Sequence, residues 1–427
     1  MTHKDGIAYA QELDREDALA DFRREFHFPR KSNEKKDLYL LGNSLGLQPI
    51  KTEEYIQQEL KTWKERAVRG YFETESPWLD FQERLAQPMA DLVGASSKEV
   101  VVMNTLTVNL HFMMASFYRP TKTRFKILIE EHAFPSDHFA VESQIEQHGL
   151  CVESSLIKVS PRSGEDLLRI EDIEASITKH GSEIALILLP GVQYYTGQVL
   201  DMKAIAQLGH QHGCMVGFDL AHAVGNVELE LHEWGVDFAC WCTYKYLNSG
   251  PGATSACFIH ERHISKPYMH RLAGWWGHNQ ETRFEMGTKF DPTPTAQGWQ
   301  VSCPPIFAMV PIEASLELFA RAGGMVALTQ KSQALSSYMM YLIKERLLGR
   351  VEVITPENPK ERGCQLSLKI LTADGKQVFD ELAQNGVICD WRYPSVIRAS
   401  AVPLYNSFED VYLFIDILDW LLRKYDQ

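Results

Sequence analysis

Lys245 closes an apolar, strand-like run in "DFACWCTYKYLNSGPG", and a Gly-Pro-Gly turn follows it at once. Lysine is almost never fully buried unless something pairs with it. An amine desolvated at such a place loses its proton readily and becomes a nucleophile able to form Schiff bases. Asp219 ends the apolar run before it, "CMVGFD". A carboxylate there has little reason to be charged unless it meets a cation. Thr105 and Thr107 stand at a helix start, whose free N–H groups and hydroxyls suit a phosphate. Ser136 and Asp137 open another helix, and His222 follows Asp219 by one turn.

Each of these has an ordinary reading. Thr105, Thr107 and Ser136 serve as N-caps, Asp219 as a cap, His222 as a satisfied core histidine. Taken together they form a set with one purpose. A phosphate site, a buried carboxylate and a Schiff-base lysine are what pyridoxal phosphate needs. The lysine carries the aldehyde, and the carboxylate keeps the pyridine nitrogen protonated so that the ring draws electrons.

The elements that must position these groups follow from hydrophobic patterning. "KEVVVMN", "RFKILIEE", "LCVESSLIKV", "IALILLPGV", "CMVGFDLA", "VDFACWCT" and "ATSACFIHE" read as strands. Amphipathic helices alternate with the first five. Short continuous apolar strands between such helices predict βαβ units and a mostly parallel sheet covered by helices on both faces. In such sheets ligands bind beyond the carboxyl ends of the strands, where all the residues above fall. After Pro305 helices come first and a few strands follow, which predicts a smaller α+β domain. The expected division is 1–36 as an N-terminal helical segment, 37–305 as a large α/β domain and 306–427 as a small one. Which domain the N-terminal segment packs on is not written in the sequence.

At 427 residues the chain is long enough for such a division. A net charge of −13 with no basic block argues against nucleic acid and anionic membrane as partners. The N-terminus lacks a basic and apolar leader pattern, and the apolar runs are too short to span a bilayer. The eight cysteines sit mostly within apolar runs, as buried thiols do in a reducing, cytoplasmic setting. Cys240 and Cys242 read as core. "HERH", His260 to His263, reads as a surface turn with no third ligand in reach, so no metal is expected.

Longer motifs carry a resemblance. "LYLLGNSLGLQP", "LTVNLH", "FPSDH", "GVQYYTGQ", "FDLAHAVGN", "WCTYKYLN", "RLAGWWGH", "ERGCQLSL" and "VPLYNSFEDVY" span nearly the whole chain. Through them the chain resembles the kynureninase family of fold-type I pyridoxal-phosphate enzymes. The resemblance implies hydrolysis of L-kynurenine, and of its 3-hydroxy form, to anthranilate or 3-hydroxyanthranilate and L-alanine. It implies a homodimer with its active sites at the subunit interface. It makes Lys245 the lysine that holds the cofactor and Asp219 the partner of the ring nitrogen. Tyr244 reaches the phosphate and is the candidate proton donor. Phe134 stacks on the ring, with Asp137 and His222 beside it and Pro135 and Ser136 in the same stretch. Leu106 and Thr107 hold the phosphate, and Trp275 comes to it from the neighbouring subunit. Arg398 clamps the substrate carboxylate, which its planar fork matches. Asn43, Ser44, Tyr71, His278 and Ser302 line the substrate pocket, and Cys303 its wall beside the cofactor.

Three positions depart from the animal members. Pro190 replaces a serine near the cofactor and brings neither N–H nor hydroxyl. Cys303 replaces an asparagine and Tyr71 a histidine. Loss of polar partners for a ring hydroxyl favours plain kynurenine over the 3-hydroxy form. By the residues alone, a cysteine desulfurase or aminotransferase of the same fold, or a non-catalytic relative, stays open. A nicotinamide-dependent reading is disfavoured, because no G-x-G-x-x-G follows the first strand.

Overall fold

A computed structural model describes residues 3–30, 36–266 and 269–425. Of the N-terminal segment 1–36, residues 1, 2 and 31–35 lie outside those described. The chain starts with α1 (Ile7–Glu16), β1 (Leu38–Tyr39), α2 (Lys51–Arg66) and α3 (Phe81–Asp91). The alternating part begins with β2 (Val100–Val102), α4 (Leu106–Phe117), β3 (Lys126–Glu130) and α5 (Pro135–Gln147). It continues with α6 (Val152–Ser155), β4 (Leu156–Val159), α7 (Ile170–His180), β5 (Ile184–Pro190) and α8 (Met202–Gln211). Then come β6 (Met215–Asp219), α9 (Leu231–Trp234), β7 (Phe238–Trp241), β8 (Ala256–Ile259) and α10 (Glu261–Ile264). The last third holds α11 (Ile306–Arg321), α12 (Gly324–Arg346), β9 (Val351–Val353), β10 (Gln365–Ile370) and α13 (Gly375–Gln384). It closes with β11 (Val387–Ile388), β12 (Asp390–Arg392), β13 (Val396–Ser400) and α14 (Phe408–Leu422).

The central sheet has seven strands in the order β2-β8-β7-β6-β5-β3-β4. β4, β3, β5, β6 and β7 are parallel neighbours. β8 runs antiparallel to both β7 and β2. The mostly parallel α/β sheet expected from the sequence is therefore present. Successive strand residues feed opposite faces. Leu128, Ile187 and Phe218 join the core under α3, α7, α8 and α11. Ile127, Ile129, Leu186 and Leu188 join the core under α4 and α5. Burial on both faces is why these strands read as unbroken apolar runs. β4 lies on one side of β3 and β5 on the other, so the strand order reverses between β3 and β5. A crevice opens beyond the strand ends at such a reversal.

The C-terminal part forms an antiparallel sheet, β12-β13-β10-β9, backed by α12, α13 and α14. Asp14 of α1 accepts hydrogen bonds from the backbone N–H groups of Phe408 (2.6 Å) and Glu409 (3.0 Å). It thereby caps α14 and docks the N-terminal segment on this part. β1 pairs in parallel with β11, Leu38 opposite Val387. Met309, Val310 and Leu316 of α11 lie in the first core with Leu85 and Met89 of α3. The sequence division at 305 had grouped α11 with the C-terminal part.

Two expectations need correction. The strand read over 150–159 is only β4; Val152–Ser155 winds into one helical turn. The Ser154 hydroxyl (3.2 Å) and the Ser155 N–H (3.1 Å) both donate to the Cys151 carbonyl, the local competition that serines offer a strand. "HERH" is not a surface turn. It spans the cap and helix of α10, and His263, 3% exposed, bonds Asp237 through Nε2 at 2.7 Å. His260 stacks on His232, and both lie beside buried Glu99, with one ligand atom of each residue within 4.8 Å of the others. A third ligand is thus in reach. The Glu99 carboxylate is already engaged by the N–H groups of Ser96 (3.0 Å) and Glu261 (2.9 Å) and by His232 Nδ1 (2.9 Å). It acts as a buried joint between β2, α9 and α10.

Candidate active site

Four parallel strand ends and two helix starts converge on one cavity of about 460 Å³. β3 ends in Glu130, β5 in Pro190 and β6 in Asp219, and β7 leads into Tyr244 and Lys245. α4 starts after Thr105, whose side chain makes no cap bond. α5 starts at Pro135, a first-turn residue that has no N–H to lose. The lining includes Asn43, Ser44, Leu106, Thr107, Phe134 and Ser136. Asp137, Asp219, His222, Tyr244 and Lys245 complete the predicted residues that meet there.

Lys245 Nζ lies 2.9 Å from His222 Nε2 and 6.0 Å from the centre of the Phe134 ring. Burial, then the positive charges of Lys245, Arg398 and Arg392, push the His222 imidazole well below its usual pKa. The neutral ring therefore accepts, and the amine donates. Asp219 is 8% exposed, and its Oδ1 accepts from the Ala221 N–H at 2.7 Å. Burial raises the pKa of both Asp219 and Asp137, Asp137 the further, and the two carboxyls share a hydrogen bond. Asp137 thus holds the proton and Asp219 the charge. The hydroxyls of Thr107 and Ser136 meet at 2.8 Å, joining the starts of α4 and α5. Two helix N-termini with hydroxyls between them suit an anionic group. Burial raises the Tyr244 phenol, so it stays protonated and able to donate.

Arg398 sits just behind this lining, 1% exposed. It donates through Nη1 to the Tyr194 carbonyl at 2.6 Å and pairs through Nη2 with Asp390. Its Nε has no partner among the described residues. Asp390 also accepts from Arg392 at 3.1 Å, and Arg392 reaches the lining. Asn43 is held by Gln365 at 3.2 Å.

Besides Arg398 behind the lining and Pro135 at the start of α5, five predicted residues do not line this cavity. Tyr71 packs edge-on against Trp78 and lines a separate cavity of about 350 Å³. Trp275 packs on Trp276 and Phe284 and is 44% exposed. His278 bonds Thr282 at 3.1 Å and the Asp291 N–H at 3.0 Å. Ser302 and Cys303 are exposed. All five lie on surface segments between α2 and α3 or between α10 and α11. Five lining residues escaped the sequence reading: Glu130, Val192, Tyr194, Ala221 and Arg392. Glu130 carries the signal that found Asp219, a carboxylate ending an apolar strand.

With this geometry established, relatives are informative. A family model described as "Kynureninase C-terminal domain" matches residues 328–418. The chain is 49% identical over 421 residues to a kynureninase of Flavobacterium psychrophilum, covering 98% of each. In structure it is similar to an apo cysteine desulfurase of Thermococcus onnurineus, with a TM-score of 0.76, 16% identity and 95% and 98% of the two chains covered. A variant of C-DES with glycine covalently linked to its PLP cofactor is also similar, with a TM-score of 0.75, 16% identity and 93% and 99% covered. At that identity these two structures speak for the fold.

Proposed function

The chain belongs to the kynureninase family, and from that premise we propose that Lys245, Asp219 and Tyr244 carry the family's reaction in this molecule. That reaction is the pyridoxal-phosphate-dependent hydrolysis of L-kynurenine to anthranilate and L-alanine, a step of tryptophan degradation and NAD biosynthesis. The cavity fits the cofactor on its own chemistry. It offers an amine for an aldehyde, a buried anion for a pyridinium, an aromatic ring to pack on, and two helix starts for a phosphate. When bound, the cofactor draws electrons from the substrate's α-carbon.

The chain's own residues do the rest. Lys245 takes the substrate's α-proton and later returns it to the product, and neutral His222 accepts a hydrogen bond from it. Asp219 holds the proton on the ring nitrogen. Water adds to the γ-carbonyl and the β–γ bond breaks. Anthranilate leaves, and the β-carbon takes a proton to become alanine. Tyr244, kept protonated by burial, donates to the carbonyl oxygen as water adds, takes a proton back from that water, and then donates to the β-carbon. Arg398 exchanges Asp390 for the substrate carboxylate, and Asn43 and Ser44 flank the same end.

We also propose a homodimer in which the partner's surface completes the pocket with Trp275, Tyr71, His278, Ser302 and Cys303. An exposed aromatic run supports this: Tyr71–Phe72 (6.2 Å), Phe72–Phe284 (6.1 Å) and Phe284–Trp275 (5.9 Å). A cytoplasmic location, supported by the eight free thiols, belongs to the same reading.

The observation that carries the assignment of roles is Lys245 Nζ set against neutral His222 in the cavity that Asp219 lines. Purified protein with added cofactor is expected to show a band near the visible edge. It is expected to release fluorescent anthranilate from kynurenine, and to turn over plain kynurenine faster than 3-hydroxykynurenine. Lys245→Ala should lose the band and about 10²–10⁴-fold or more in rate. Retention of both would remove Lys245 from its role.

A further inference from the structure

Glu130 has no part in the chemistry above. It ends β3, is 2% exposed and lines the cavity with Asp219 and Lys245. Its Oε1 accepts from Gln193 Nε2 at 3.1 Å. Its Oε2 has no partner among the described residues. A buried carboxylate with a free oxygen is costly as an anion unless a cation meets it. The other ionisable groups around the cavity come from every side: Asp137 of α5, Tyr194 after β5, Asp219 and His222 after β6, Tyr244 and Lys245 after β7, and Arg392 of β12. No ion pair joins either cation to Glu130 among the described residues; only the Gln193 amide favours its charged form. Burial pushes the carboxyl up to about 7.

Its neighbours explain why a neutral carboxyl is useful there. Asp137 feels the charge of both Asp219 and Glu130. Asp137 and Asp219 already share one proton. One negative charge then remains to meet one protonated ring nitrogen. A second would be an uncompensated charge in the interior.

We propose that Glu130 is a positioning residue, the third carboxyl of a chain Asp219–Asp137–Glu130, and that it stays protonated in the loaded enzyme so that the chain carries a single negative charge. The proposal rests on Asp219 as the partner of the ring nitrogen. Through Gln193 the same carboxyl steadies the loop after β5. Gln193 Oε1 accepts from the N–H groups of Tyr195 (2.6 Å) and Thr196 (2.9 Å), and the Tyr194 carbonyl holds Arg398.

The sign of the pH effect follows. A carboxyl raised from 4.5 to about 7 binds its proton more tightly in the folded chain. Its contribution to stability is whole below the unfolded value and is lost as pH rises through the folded one. Glu130→Gln keeps the shape and cannot ionise. The melting temperature of the cofactor-free variant, minus that of the native chain, is expected to grow from pH 5 to pH 8 and then level off. A difference independent of pH, the mark of a merely structural residue, overturns the proposal.

The second readout is pyridoxal phosphate affinity of the two proteins at pH 6 to 8.5. The variant-to-native affinity ratio is expected to rise above pH 7, by up to about tenfold per pH unit. A ratio that stays flat or falls overturns the proposal. Asp219→Asn serves as the control. If it keeps native affinity and absorption, the Asp219 reading fails, whatever the cofactor-free melting shows for Glu130.

Discussion

Arg398 shows how much one side chain is asked to do before any substrate arrives. It is fully buried, shares Asp390 with Arg392, and donates to the Tyr194 carbonyl. A lysine cannot hold two acceptors and a carboxylate with one fixed fork. Arg398→Lys is therefore expected to cost about 2–5 kcal/mol in transition-state binding, seen mainly as a higher KM for kynurenine. A change confined to kcat would mean that Arg398 acts elsewhere. Lys245 and Asp219 were legible in the sequence because a charged residue ending an apolar strand has few other uses. Glu130 ends a strand in the same way and was passed over, since Ser136 and Asp137 at the helix start that follows drew the attention. Arg392 was passed over because alternation along β12 hides which face of a three-residue strand looks inward.

The turn that presents Lys245 depends on a neighbour distant in sequence. The Gly46 N–H donates to the Tyr244 carbonyl at 2.8 Å. A Cβ at Gly46 would lie 2.3 Å from Asn248 Oδ1 and 2.4 Å from the Lys245 carbonyl. Both are positions that real side chains do not occupy. Gly46→Ala must displace the turn, and we expect weaker cofactor binding together with a stability loss of about 1–3 kcal/mol. Cofactor titration and thermal melting read the two effects. Unchanged affinity would show that the turn adjusts without moving Lys245. Gly250 and Gly252 differ in kind: nothing crowds them, but their φ of 81° and 78° is left-handed backbone. The helices and central strands were legible because burial on two faces writes continuous apolar runs. β1 was not, because two residues leave no period to read.

At the scale of the molecule, the described chain builds a cavity floor from four strand ends and leaves five expected pocket residues on its outside. A single sequence cannot tell a residue that faces its own pocket from one that faces a copy's. The aromatic run from Tyr71 to Trp275 gives the proposal of a dimer a direct test. Lys245→Ala and Trp275→Ala, each weakly active alone, are expected to regain activity when unfolded together and refolded as a mixture. Mixed dimers then hold one intact pocket. No gain over the separate proteins would place both residues in one subunit's site. The β1–β11 pair carries a further consequence, one of time. Residues 38–46 run from that pair past the pocket-lining Asn43 and Ser44 to the Lys245 turn. β1 leaves the ribosome before every strand of the central sheet, and its partner strand only after all of them. The pocket's outer edge therefore waits until the central sheet has been synthesised. A nascent chain halted before Val387 has its lysine strand but no seat for the segment that closes over it.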